Sequence, residues 1–110
     1  MQRKESQTEP YRSVSMEEAL VRMAQTEHYL LLDVRRPEEY AAGHLPGAVN
    51  LPNESFTTQT VPARLKEVPL FVYCRSGVRS RQAAAKLAAA GCHPVVECGG
   101  VLDYKGPLVI

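Results

Sequence analysis

The stretch VYCRSGVRSRQ, Val72 to Gln82, sets one thiol between an apolar run and an alanine-rich segment, among closely spaced arginines and a glycine. A cysteine at such a junction becomes a nucleophile if it gives up its proton easily. Ser76, Gly77 and a helix starting near Val78 to Ser80 would turn free backbone N–H groups onto the sulfur, which is an anion site. Those groups, together with Arg75 and Arg79, favour thiolate over thiol and lower the pKa from its reference of about 8.5. Gly77 permits the positive φ that a curled loop needs. The competing reading of Cys74 is a small buried residue beside a turn, because unpaired cysteines are among the most buried residue types.

The flanking elements must hold this thiol in place. PLFVYC ends at Cys74, and the earlier run YLLLDV, residues 29–34, ends beside Asp33 and Arg35. Both are nearly continuous apolar runs, the pattern of strands covered on two faces in a parallel sheet. Ser15, three residues before Glu18, has capping-box spacing for a helix to about Thr26 with Ala19, Leu20 and Met23 buried. PEEYAAG reads as a short helix from Pro37 stopped by Gly43. A short strand is expected around Ala48 to Asn50, a brief helix around Pro62 to Glu67, and a longer helix with Ala83, Ala84, Leu87 and Ala90 inward, capped at Gly91. HPVVE offers a last strand, with Gly99 and Gly100 as a turn, and Tyr11 to Val14 a first one. Strands alternating with helices imply a parallel α/β sheet with helices on both faces. Ligands in such sheets sit beyond the carboxyl ends of the strands, where Cys74 and Asp33 both fall.

Composition narrows the function classes. With 110 residues, a net charge of +1 and 23 % charged residues, no global basic field points to nucleic acid or to an acidic membrane surface. Residues 1–10 read as a flexible lead-in and 11–110 as a single domain. No apolar segment marks a secretory signal or a membrane span, so the chain reads as cytoplasmic. Cys74, Cys92 and Cys98 form no CxxC or metal spacing, and an odd number suits free thiols in a reducing compartment. No metal or organic cofactor is expected.

LLDVRRPEEYAAGHLPGAVNLP, VYCRSGVRSRQAAAKLAAAG and VVECGGV, in this order and at these separations, resemble the rhodanese family of sulfurtransferases in its small single-domain form. The resemblance implies a three-layer rhodanese-like fold: a five-stranded, mostly parallel sheet flanked by helices on both faces. It also implies that Cys74 accepts sulfane sulfur as a persulfide, cradled by Arg75, Ser76, Gly77, Val78 and Arg79, with Asp33 and Arg35 bracing the loop from the neighbouring strand end. Related phosphatases and arsenate reductases carry cysteine, five residues, then arginine. Here that place holds Ser80, and arginine comes one step earlier, at Arg79, giving a smaller ring suited to a sulfur atom. The implied partners are a small anionic sulfur donor such as thiosulfate and a thiol or cyanide acceptor, or a sulfur-accepting protein. A non-catalytic sulfur-relay or interaction module is the alternative, with phosphatase or arsenate reductase behind it.

Arg35 and Glu39, four apart, have the spacing of a local ion pair. His44 reads as structural, and His28, His93, Arg36 and Arg81 as surface residues. Cys98 could resolve a Cys74 persulfide, although a buried apolar filler fits its place better. Many family members have an aromatic residue soon after the glycine pair. Here Leu102, Asp103 and Tyr104 follow, and Tyr104 is the candidate substitute.

Overall fold

The computed structural model describes residues 11–110, so the expected lead-in at 1–10 lies outside the described residues. Five strands, β1 (Arg12–Ser13), β2 (Leu30–Asp33), β3 (Val49–Asn50), β4 (Leu70–Cys74) and β5 (Val95–Gly100), form one parallel sheet in the order β1-β5-β4-β2-β3. Helices α1 (Met16–Ala24), α2 (Pro37–Ala42) and α3 (Val78–Ala89) connect them, with short 3-10 turns at Asn53–Ser55, Ala63–Lys66 and Val101–Asp103.

The pleat decides what each face sees, because successive side chains on a strand point to opposite sides. Leu70, Val72 and Cys74 join Ala83, Ala84 and Leu87 of α3 in one core. Phe71 and Tyr73 join Met16, Ala19 and Met23 of α1 in the other, with Tyr40 of α2 packed alongside. All five β4 residues are buried, as a central strand between two helical layers requires. Small side chains on α3 let it lie close to the sheet, and truncating its buried Leu87 to alanine would cost about 2–5 kcal/mol.

Some details depart from expectation. The Ser15 hydroxyl accepts from the Glu18 N–H at 3.0 Å, but the Glu18 carboxylate turns to Arg22 at 2.7 Å, so only half of a capping box forms. Leu20 is exposed and Met16 is buried in its stead, because Met16, Ala19 and Met23 repeat at helical spacing on the inner face. Ala90 is half-buried, its place on the inner stripe of α3 taken by Ser80 at the other end. Gly99 and Gly100 belong to β5, which runs longer than HPVVE suggested. The tail, for which the sequence offered no pattern, returns to the body through Val109, which exchanges two 2.9 Å backbone hydrogen bonds with His44.

Candidate active site

Cys74 ends β4, and three residues later α3 begins after Gly77, whose φ of 117° is the left-handed turn its sequence position suggested. The curl brings the Gly77 N–H to 3.0 Å from Cys74 Sγ. The sulfur is also 3.5 Å from Ser80 Oγ, in the first turn of α3. Burial pushes the thiol pKa up, but hydrogen bonds from the Ser80 hydroxyl and from the N–H groups of Ser80, Gly77 and Ser76 outweigh it and hold Cys74 below its ordinary value. The positive end of α3 acts in the same sense. Thus Cys74, 1 % exposed, lies beneath a loop that stabilises its anion.

The rest of the proposed cradle is arranged less uniformly. Arg75, Ser76 and Val78 are exposed, and the Arg75 carbonyl accepts from Leu102 N–H at 3.3 Å, tying the loop to the chain after β5. Arg79 does not reach into the loop as an open donor-binding group. Its guanidinium grips Glu39 of α2 at 2.6 and 3.2 Å, beside a cavity of about 640 Å³ also lined by Arg36, Glu38 and Glu54. Glu39 therefore pairs with Arg79 rather than with Arg35, a correction to the local pairing expected from spacing. The Arg79 hydrogen bond, helped by the Arg36 backbone N–H, overcomes burial and holds the Glu39 carboxyl at about 2.

Asp33 and Arg35 also come together differently than expected. Arg35 clasps Asp33 through contacts of 2.7 to 3.1 Å and donates to the Gly43 carbonyl at 2.6 Å. The Tyr73 hydroxyl donates to Asp33 at 2.7 Å and accepts from the Leu45 N–H at 3.0 Å. This network braces the 43–45 turn rather than the cysteine loop. The reason is the pleat: Asp33 and Tyr73 point to the α1 face, whereas Cys74 points to the α3 face. Arg35 is 6 % exposed and its charge is matched by Asp33 at 2.7 Å.

Two residues of this site escaped the sequence reading. Ser80 donates to Glu97 Oε2 at 2.7 Å, and Glu97 itself is 2 % exposed. Glu97 also accepts from Ser13 Oγ at 2.8 Å and from the Gly99 N–H at 2.7 Å. The signals were present: Ser80 shares the stripe of Ala83, Ala84 and Leu87, and a glutamate inside VVEC must turn one way or the other into a covered sheet. Cys98 lies on the α1 face, 0 % exposed, donates to the Val72 carbonyl at 3.4 Å, and is pushed up to about 12, burial being the main cause. It is a filler across the sheet from Cys74. His44 stacks on Tyr40 at 3.7 Å and sits 2.9 Å from its carbonyl, a structural place. Tyr104 packs at the edge of the α1-face core. Among the described residues no cluster of three or more His, Cys, Asp or Glu side chains is arranged to hold a metal ion, and no helix is long and apolar enough to cross a membrane.

A parallel α/β sheet with a thiol loop at the carboxyl end of its central strand defines a class of proteins before any comparison is made. Residues 16–105 match the family model described as Rhodanese-like domain, and the chain belongs to that family. It is 39 % identical over 92 residues to a sulfurtransferase of Allochromatium vinosum, covering 80 % of this chain and 76 % of that one. It is 37 % identical over 90 residues to the thiosulfate sulfurtransferase GlpE of Pseudomonas entomophila, covering 82 % and 80 %. Among solved structures, a rhodanese with anions from E. coli aligns with a TM-score of 0.60 at 33 % identity, over 74 % of this chain and 98 % of that one. A rhodanese-like domain protein from Staphylococcus aureus aligns with a TM-score of 0.70 at 28 % identity, over 90 % and 97 %. At the level of the family, the chain is of the sulfurtransferase type.

Proposed function

We propose that the protein moves sulfane sulfur from a small anionic donor such as thiosulfate to a thiol or cyanide through a persulfide on Cys74. The observation that carries this reading is the Cys74 sulfur itself, which accepts the Gly77 N–H at 3.0 Å and is held below its ordinary pKa by the loop. The Cys74 thiolate attacks the sulfane sulfur, the sulfur–sulfur bond of the donor breaks, and sulfite leaves with the electron pair. The new terminal sulfur carries the negative charge into the reach of the Ser76 and Gly77 amides. An acceptor thiolate or cyanide then attacks that outer sulfur, and the pair returns to Cys74 Sγ. Nothing in these steps calls for a metal or organic cofactor.

The ion pair that occupies Arg79 favours a second reading beside the first. With its strongest anion-binding group already engaged, the loop would take sulfur from a docked protein more readily than from free thiosulfate, as a relay. Treatment with thiosulfate followed by peptide mass spectrometry tests sulfur carriage: a gain of about 32 Da on Cys74 is expected, and no gain, or a gain on Cys98 instead, overturns it. Turnover in a thiosulfate-to-cyanide assay separates catalysis from relay.

A further inference from the structure

The Ser80 hydroxyl has one proton and four acceptors within reach: Glu97 Oε2 at 2.7 Å, the Gly77 carbonyl at 3.0 Å, the Gly99 carbonyl at 3.3 Å and Cys74 Sγ at 3.5 Å. The shortest contact is the charge-assisted one, so with Glu97 ionised the proton points at the carboxylate. Ser80 then presents only lone pairs to the sulfur, and Cys74 is left as the donor, S–H to Oγ. A thiolate reverses every direction in the chain, since Ser80 must donate to sulfur and Glu97 Oε2 must hold a proton to donate to Ser80. Among the described residues no basic side chain pairs with Glu97: its three partners there are Ser80, Ser13 and the Gly99 N–H. Two anions separated by one serine in a water-poor interior repel strongly, whereas one negative charge passed between them does not.

We propose that Glu97 is the proton store of Cys74, exchanging one proton with the thiol through the Ser80 hydroxyl. The thiol proton moves to Ser80 Oγ as the Ser80 proton moves to Glu97 Oε2, which converts SH, OH and COO⁻ into S⁻, OH and COOH with atoms and charge conserved. In the sulfur transfer proposed above, Glu97 keeps that proton while the persulfide exists. It returns the proton by the same route when the acceptor takes the outer sulfur and Cys74 Sγ recovers its electron pair. Only this use of the store rests on the persulfide reading; the exchange itself needs no sulfur donor.

The other charged groups near this chain are identifiable. Arg79, on α3, feels the Cys74 charge. Arg81 lies over Gly77, and the exposed Asp103 lies beside Gly99. Cys98, on the far face, feels both Cys74 and Glu97.

The test is the rate of Cys74 alkylation by iodoacetamide against pH, read by mass spectrometry at that residue, in wild type and in Glu97→Gln, Ser80→Ala and Asp103→Asn. Wild type and Asp103→Asn should show two rising steps separated by a plateau, as coupled sites do. Glu97→Gln should show one step, and Ser80→Ala should lower the plateau several-fold. A single step in the wild-type profile, or two steps retained in Glu97→Gln, overturns the proposal. Should Glu97→Gln not fold, infrared spectra of the wild type decide: alkylating Cys74 at a plateau pH should convert one protonated carboxyl to carboxylate, and no such change overturns the proposal. Persulfide formation is scored separately by mass, so either proposal can fail while the other stands.

Discussion

Two carboxylates are buried at the same end of the sheet, on opposite faces, and their surroundings differ. Asp33, on the α1 face, is clasped by Arg35 and capped by the Tyr73 hydroxyl. Glu97, on the α3 face, has among the described residues only a backbone N–H and two hydroxyls as partners, one of which touches Cys74. A charge matched by a fixed counter-charge has nothing left to exchange. Burial pushes the Arg35 pKa down, yet Asp33's hydrogen bond and charge outweigh it and hold the guanidinium above its ordinary value. The Tyr73 hydroxyl is likewise pushed up, by burial first. The α1 face therefore builds a bracket, and the α3 face a site in which a proton can change hands.

That contrast can be broken or sharpened by substitution. Cys74→Ser should abolish sulfur transfer altogether while leaving the melting temperature nearly unchanged, because an oxygen replaces a sulfur at the same hydrogen-bonding place; residual thiosulfate turnover would move the chemistry elsewhere. Asp33→Ala should leave Arg35 buried and uncompensated and cost about 3–5 kcal/mol in urea unfolding, with the Cys74 alkylation profile keeping its shape. If that profile collapsed instead, the two faces would not be independent. Ser80→Ala removes a donor to the thiolate worth about 0.5–1.5 kcal/mol. Cys74 alkylation at neutral pH should slow by about two- to tenfold, and an equal or faster rate would strip Ser80 of its part.

The smallest effect belongs to the pair at the rim. Glu39 is lowered from 4.5 to about 2 in the folded protein, so the pair's contribution is complete above the unfolded value and is lost as pH falls through about 2. Because both side chains are about 30 % exposed, Glu39→Gln should cost less than about 1 kcal/mol near neutral pH. It should also free Arg79 and lower the KM for thiosulfate. An unchanged KM would show that Arg79 takes no part in recognising the donor.

Much of this architecture was legible in the sequence because it rests on short-range rules. Two continuous apolar runs marked β2 and β4, and Gly77 with its flanking arginines marked the loop. The parts that were not legible depend on which face a side chain takes and on partners far away in the chain. Arg35 and Glu39 sit four residues apart, yet each finds a better partner, Asp33 through the fold of its own turn and Arg79 across 40 residues. Ser80 looked like the position where a phosphatase arginine was missing, and its own hydroxyl went unread. Glu97 passed as one letter of a strand, since only the register that pairs Val72 with Glu97 brings it to the cysteine's side.

That register holds only as far as Glu97. Val72 lies opposite Glu97, but Cys74 lies opposite Gly100, so β5 spends one more residue than β4 over the same span. Gly99, with φ at 79°, turns its N–H back onto Glu97 within this irregular stretch. The site is therefore kept by a count as well as by its chemical groups. Removing either glycine would leave Cys74, Ser80 and Glu97 all in the chain and yet take away the slack that lets the strand end curl beneath the loop, so this short stretch should tolerate exchanges of side chain more readily than changes of length.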